Sequence, residues 1–303
     1  MKHQIIGQLI DAVSTIVLGK KREIRLALTC LLARGHLLIE DVPGVGKTTL
    51  AQALAKTLGL QFQRIQFTSD MLPADILGVS IFDRESSTFR FHPGPIFSQM
   101  VLGDELNRAS PKTQSALLEA MAERQVSIEG TTYPLPSPFF VIATQNPANQ
   151  IGTFALPESQ LDRFLMRIEV GYPDHSAERA LLQGMDRRSL LETQAPVISP
   201  AALLELQAAV PTVHVSDALL DYLQALTDYT RNRADFAAGL SPRAGLALLA
   251  AARAFALCGG RDSVLPEDIQ AVLPAVAAHR LRLDSGAAGR AVVEQLIRAV
   301  PIP

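Results

Sequence analysis

Disulfide scaffolding is excluded first. The 303 residues carry only two cysteines, Cys30 and Cys258, both in apolar helical patterns and neither near another ligand-type residue at metal spacing. Two such thiols read as reduced and buried, in a cytosolic protein. The six histidines (His3, His36, His92, His175, His214, His279) are scattered without ligand spacing, so no histidine metal centre is expected. Basic residues are not in excess: 28 Lys and Arg stand against 30 Asp and Glu, a net charge of −2. A protein whose task is to coat DNA or an anionic membrane is normally basic, so neither is the default partner, although a local basic channel stays open. Long hydrophobic runs are also lacking. Residues 244–258 form the most apolar later stretch, but it contains Arg253 and is too short for a bilayer. Residues 1–18 are apolar but interrupted by Gln4, Gln8 and Asp11, without the basic start or cleavage site of a signal peptide, and read as an amphipathic helix. No internal repeat and no low-complexity tail is found. A soluble, cytoplasmic protein without membrane insertion is expected.

What is present is core-forming. Hydrophobic residues make up 48% of the chain, and its length suits two domains at about 100–200 residues each. Short apolar runs at 36–40, 62–67, 99–103, 139–144 and 166–170 read as strands. Between them lie helical spacings such as Leu50, Ala51, Leu54, Ala55 and Leu58. Ser110-Pro111 gives an N-cap and a first-turn proline for a helix to about Glu123. Alternating strands and helices predict an α/β fold, a parallel sheet with helices on both faces. From about Ala201 the strand signals vanish and Ala/Leu-rich helices dominate. Residues 1–190 are expected to form the α/β core with an N-terminal helix, and 191–303 a small all-α domain. Residues 76–91 and 125–135 read as hairpins interrupting the core.

The strongest chemical signal is Glu40-Asp41-Val42-Pro43-Gly44-Val45-Gly46-Lys47-Thr48-Thr49, between a predicted strand and a predicted helix. Glycines let such a loop point its N–H groups at phosphate oxygens, and the next helix adds the positive end of its dipole. Lys47 suits the β- and γ-phosphates, and Thr48 a Mg²⁺ ion. Asp41 stands where a P-loop usually begins with glycine. Residues 100–105 end an apolar strand in Asp104 and Glu105, which a buried strand does not tolerate without a purpose. Asp104 can hold Mg²⁺ through water, and Glu105 can activate the attacking water. Asn146, ending a third apolar run before Pro147, suits either that water and the γ-phosphate or an ordinary turn. Together these residues predict a P-loop ATPase using ATP and Mg²⁺.

The combination resembles the MoxR family of AAA+ ATPases over roughly residues 15–285. The phosphate loop with its acid at Asp41, Gly103-Asp104-Glu105-Leu106-Asn107-Arg108-Ala109, Ala143-Thr144-Gln145-Asn146-Pro147, residues 156–164, Leu240-Ser241-Pro242-Arg243-Ala244 and residues 277–281 carry it. The resemblance implies a AAA+ core followed by a helical lid. It puts Val17-Leu18-Gly19 against the adenine and makes Asn146 sensor 1. Arg163 becomes a finger entering a neighbouring subunit's site, with Arg167 as second choice, and Arg243 a lid arginine on the γ-phosphate. Residues 277–281 are similar to the lid's final helix. The two hairpins would face a ring's pore or a partner. A hexameric ring remodelling or activating a protein client, together with a von Willebrand factor A domain protein, is the implied function. A nucleic-acid motor is the alternative, opposed by the net charge and the lack of an added DNA-binding domain. A switch that binds nucleotide without hydrolysis is opposed by Glu105 and Asn146.

Overall fold

The computed structural model describes residues 2–85, 87–146, 152–184, 187–234, 236–283 and 289–302. The chain opens with helices α1 (Lys2–Ile16) and α2 (Lys21–Leu32), then β1 (Leu37–Glu40), α3 (Lys47–Thr57) and β2 (Phe62–Gln66). A short α4 (Pro73–Leu77) leads into the hairpin β3 (Gly78–Asp83) and β4 (Thr88–Pro93). Next come β5 (Met100–Asp104), α5 (Pro111–Glu123), the hairpin β6 (Gln125–Ile128) and β7 (Thr131–Pro134), and β8 (Phe140–Gln145). After them lie α6 (Glu158–Leu161), β9 (Met166–Ile168), α7 (His175–Gln183) and α8 (Arg187–Thr193). The C-terminal part contains α9 (Pro200–Ala209), α10 (Asp217–Arg231), β10 (Phe236–Ala238), α11 (Pro242–Cys258), α12 (Pro266–Ala277), β11 (Arg282–Leu283) and α13 (Arg290–Ala299).

Five strands form one sheet in the order β2-β5-β8-β1-β9, every pair parallel. Side chains alternate across a strand, and the core divides accordingly. Leu37, Ile39, Met100, Leu102, Phe140 and Ile142 enter one apolar cluster, while Leu38, Val101, Val141 and Ala143 enter a second. The first cluster takes in α1, α2 and α3 together with lid residues such as Leu248, Ala251 and Leu273, so core and lid share continuous apolar packing. The second is covered by α5 through Leu117, Leu118 and Met121. The Ser110 cap forms as expected, its hydroxyl accepting from Thr113 N.

Both predicted hairpins are present. They touch each other through Phe91 and Tyr133, whose rings stack with centroids 4.1 Å apart. The C-terminal helical region holds one feature unforeseen in the sequence, an antiparallel ribbon of β10 and β11. Residues 277–281 do not make the final helix: α12 ends at Ala277, and α13 follows. His279 and Arg280, just past α12, instead fasten the lid to the core. Arg280 donates to Asp162 Oδ1 at 2.7 Å, to Phe164 O at 2.6 Å and to Leu165 O at 3.3 Å, and also to Val276 O.

His36, buried at the start of β1, accepts from Val141 N through Nδ1 at 3.0 Å, and its Nε2 lies 3.2 Å from Met121 O. Burial pushes its pKa down to about 4. Between about pH 6.5 and 4 the unfolded chain therefore binds a proton that the folded chain refuses, and stability falls as pH falls. About 3 kcal/mol is expected to be lost across that window. Urea unfolding at pH 7, 5.5 and 4.5 measures it, and His36→Gln is expected to flatten the dependence. An unchanged slope in that variant refutes the assignment.

Candidate ATPase site

The phosphate loop turns on two glycines. Gly44 and Gly46 have φ of +87° and +92°, and a Cβ at either would meet no atom within 4 Å. The requirement there is conformational, since left-handed backbone favours glycine. Gly46 then caps α3, whose first residue is Lys47. Lys47 is buried and its ammonium is held in the loop, donating to Asp41 O at 2.6 Å, Val42 O at 3.3 Å and Asn146 Oδ1 at 3.3 Å. Burial pushes its pKa down, while the carboxylates of Asp41, Asp104 and Glu105 oppose the shift.

A cavity of about 320 Å³ opens over this loop, lined by Pro43, Gly44, Gly46, Lys47, Thr48, Thr49, Asp104, Glu105 and Asn146. These residues come from the C-terminal ends of β1, β5 and β8 and the start of α3. Asp104 Oδ1 accepts from Thr144 Oγ1 at 2.6 Å, and its Oδ2 from Arg64 Nη2 at 2.6 Å and Nε at 3.2 Å. Glu105 has φ +58°, a conformation costly for a non-glycine residue that tends to mark functional positions. Its backbone N donates to Thr144 Oγ1 at 2.9 Å. Its carboxylate accepts from Gln66 Nε2 at 3.0 Å, Arg108 Nε at 3.1 Å and Asn146 Nδ2 at 3.2 Å. Asn146 thus bridges Lys47 and Glu105.

Arg64, Gln66 and Thr144 were missed as site residues in the sequence. Their signal was present: Arg64 and Gln66 alternate along β2, so period 2 carries both toward the end of β5 that holds the acids. The donor set suits Mg²⁺, which keeps several waters and binds through one or two carboxylates plus substrate phosphates. Thr48 and Asp104 offer a hydroxyl and a carboxylate beside the loop. Among the described residues no group of three or more His, Cys, Asp or Glu forms a metal cage.

Several expected site residues lie elsewhere. Asp41 turns its carboxylate away from the cavity, accepting from Val42 N at 2.8 Å, Val170 N at 2.8 Å and Gly171 N at 2.6 Å. It braces the loop against the segment after β9. Val45 packs against the first apolar cluster and is not among the cavity's lining residues. Gly19 faces no open space, since a Cβ there would lie 2.7 Å from Ala177 Cβ in α7. A separate cavity of about 230 Å³, lined by Leu26, Val170, Gly171, Pro274 and Ala275 among others, does not include Gly19. Arg167, the second choice for a finger, pairs with Glu40 at 2.9 Å beside its own phosphate loop.

Arg163 and Arg243 lie together at the opposite end of the sheet. Both line a cavity of about 260 Å³ with Gly35 and His36, which precede β1, whereas the phosphate loop follows it. A four-residue strand separates the two ends by about 13 Å. Arg243 reaches Asp162 at 3.7 Å, and Arg163 donates to Leu118 O at 3.1 Å. The expectation that Arg243 caps its own chain's γ-phosphate is therefore corrected. The local cap is as predicted, with Ser241 Oγ accepting from Ala244 N and Pro242 opening the helix, but the lid is docked at the wrong end for contact in cis.

Residues 36–166 match the model of the ATPase family associated with various cellular activities (AAA), and residues 228–299 match the AAA lid domain. The chain is 41% identical to the chaperone MoxR1 of Mycobacterium tuberculosis, over 96% of this chain and 80% of that one. The chain belongs to the MoxR family of AAA+ ATPases. An uncharacterised Bacillus subtilis protein, YeaC, is 44% identical across 99% of this chain and 96% of its own. A crystal structure from Cytophaga hutchinsonii, provisionally described as an ATPase, superposes with a TM-score of 0.89 at 38% identity, covering 100% of this chain and 96% of that one. The MoxR-family chain is accordingly a P-loop ATPase with a AAA+ core and lid. No helix among its described residues is long and apolar enough to cross a membrane.

Proposed function

We propose that this MoxR-type ATPase binds Mg-ATP in the cavity over residues 43–49 and assembles into a hexameric ring that remodels or activates a protein client in the cytoplasm, with a von Willebrand factor A domain protein as co-factor of the task. One observation carries the reading: Lys47, Thr48, Asp104, Glu105 and Asn146 converge on one cavity, while Arg163 and Arg243 stand at the other end of the sheet. A chain whose arginines face away from its own phosphates needs a neighbour for them to serve. Lys47 neutralises the β- and γ-phosphates, Glu105 accepts the attacking water's proton, and Asn146 orients that water. Mg²⁺, when bound at Thr48 and Asp104, supplies further charge neutralisation. Arg163 and Arg243 act together in trans. The hairpin β3–β4 suits a hydrophobic client segment, because Phe82 and Phe89 pair at 5.3 Å between centroids while remaining 50% and 68% exposed.

Lys47→Ala tests the nucleotide site. Loss of a charged hydrogen-bond donor is expected to weaken Mg-ATP binding about 10–100-fold, read by titration calorimetry. Unaltered affinity would remove the phosphate role from Lys47. Stimulation of hydrolysis by DNA at low salt, but not by protein partners, would favour the nucleic-acid motor instead.

A further inference from the structure

The cavity that holds Arg163 and Arg243 contains more arginine than those two. Arg34, Arg124 and Arg280 line it as well, with Asp162 as the single carboxylate. Asp162 is already engaged by Arg280 at 2.7 Å and Arg243 at 3.7 Å. Arg280 spends its other donors on backbone carbonyls. The adjacent His36 ring is held neutral by burial, and the charge of Arg124 works in the same direction. Five arginines against one carboxylate leave the lining of this cavity with an excess of positive charge, which favours an anion there.

The backbone at two of these positions is costly. Arg34 follows the C-cap of α2 and Arg124 is the C-cap of α5, with φ of +56° and +53°. Glycine or asparagine serves such positions without strain. A cation near a helix C-terminus is favourable, but one placed a turn earlier gains the same attraction without left-handed backbone. Strain kept at two arginines on one cavity wall signals that their side chains are wanted there. Arg124 Nη2 also donates to Arg34 O at 3.0 Å, which ties the two helix ends together. Arg163 is bonded to Leu118 of α5, the helix that ends in Arg124.

We propose that Arg34 and Arg124 complete the trans-acting site, holding phosphate oxygens of the nucleotide bound in the adjacent subunit alongside Arg163 and Arg243. The proposal rests on the shared-site reading above. A triphosphate is the polyanion of this enzyme's own reaction, and its oxygens suit several planar guanidiniums at once.

Arg34→Gly and Arg124→Gly test it in the full chain. Glycine relieves the left-handed strain, so thermal midpoints are expected to hold or rise. ATP hydrolysis by assembled rings is expected to drop about 10–100-fold for each, as for a lost charge-assisted contact. Equimolar mixing of either variant with Glu105→Gln is expected to restore activity, because the intact arginine of one subunit then meets the intact Glu105 of the next. A purely structural role within one subunit gives no such rescue. Full activity of both glycine variants, in an assay where Arg163→Ala is inactive and rescued by mixing, overturns this proposal and leaves the shared site standing. Absence of rescue in rings shown to contain both subunits, while Arg163→Ala is rescued, also overturns it. Failure to rescue Arg163→Ala overturns the shared-site reading itself.

Discussion

Glu105→Gln is expected to bind Mg-ATP as the parent does and to hydrolyse it at least about 100-fold more slowly, since a positioned general base contributes roughly 10²–10⁴ in rate. The amide keeps the size of the side chain and can still accept a hydrogen bond from Gln66, Arg108 or Asn146. It cannot take a proton from water. Lys47 and the loop glycines, proposed to provide the affinity, lie between β1 and the first turn of α3 and are untouched. Equilibrium binding with single-turnover hydrolysis separates the two effects. Turnover near the parent rate would dismiss Glu105 as the base.

Arg163→Ala is expected to fold, bind ATP and lose about 10³–10⁵ of the hydrolysis rate, the range for an arginine supplied by a neighbour. The arginine stands at the sheet end remote from its own phosphate loop, so its loss leaves the variant's own cavity whole. Mixed with Glu105→Gln, it is expected to regain part of the activity, because some interfaces join an intact arginine to an intact glutamate. Parent activity should rise with protein concentration as subunits associate. A dilute monomer hydrolysing at full rate would refute sharing, as would proven co-assembly without recovery.

The phosphate loop was legible in the sequence because its chemistry is contiguous. Residues 43–49 need only a strand before them and a helix after them, both announced by apolar spacing. Asp104 and Glu105 were legible for the same reason, marking the polar end of an apolar run, whereas Asn146 before Pro147 read equally as a turn until the family resemblance gave it a role. What escaped were properties fixed by docking. Arg243 carried the right cap and helix start, but which end of the sheet it reaches depends on Arg280 inserting among the carbonyls of residues 162–165. Gly19 has a positive φ for packing against Ala177, a contact 158 residues along the chain that no local pattern encodes. The alternation of Arg64 and Gln66 could be seen in the sequence but not interpreted, because β2 is an edge strand, where polar residues are unremarkable until the partner strand is known to end in two acids.

The Arg280 clasp has a mechanical consequence. Its guanidinium is 5% exposed and grips the very segment that carries Arg163, while lid and core share one apolar interior. A joint sealed in this way is stiff. Swinging the lid would strip several hydrogen bonds from a buried cation and open apolar surface, so the soft degree of freedom lies outside the subunit. If subunits share their sites as proposed, work from each hydrolysis event should then appear as one whole protomer rolling against the next, with the arginine wall of one as the bearing surface for the other's nucleotide.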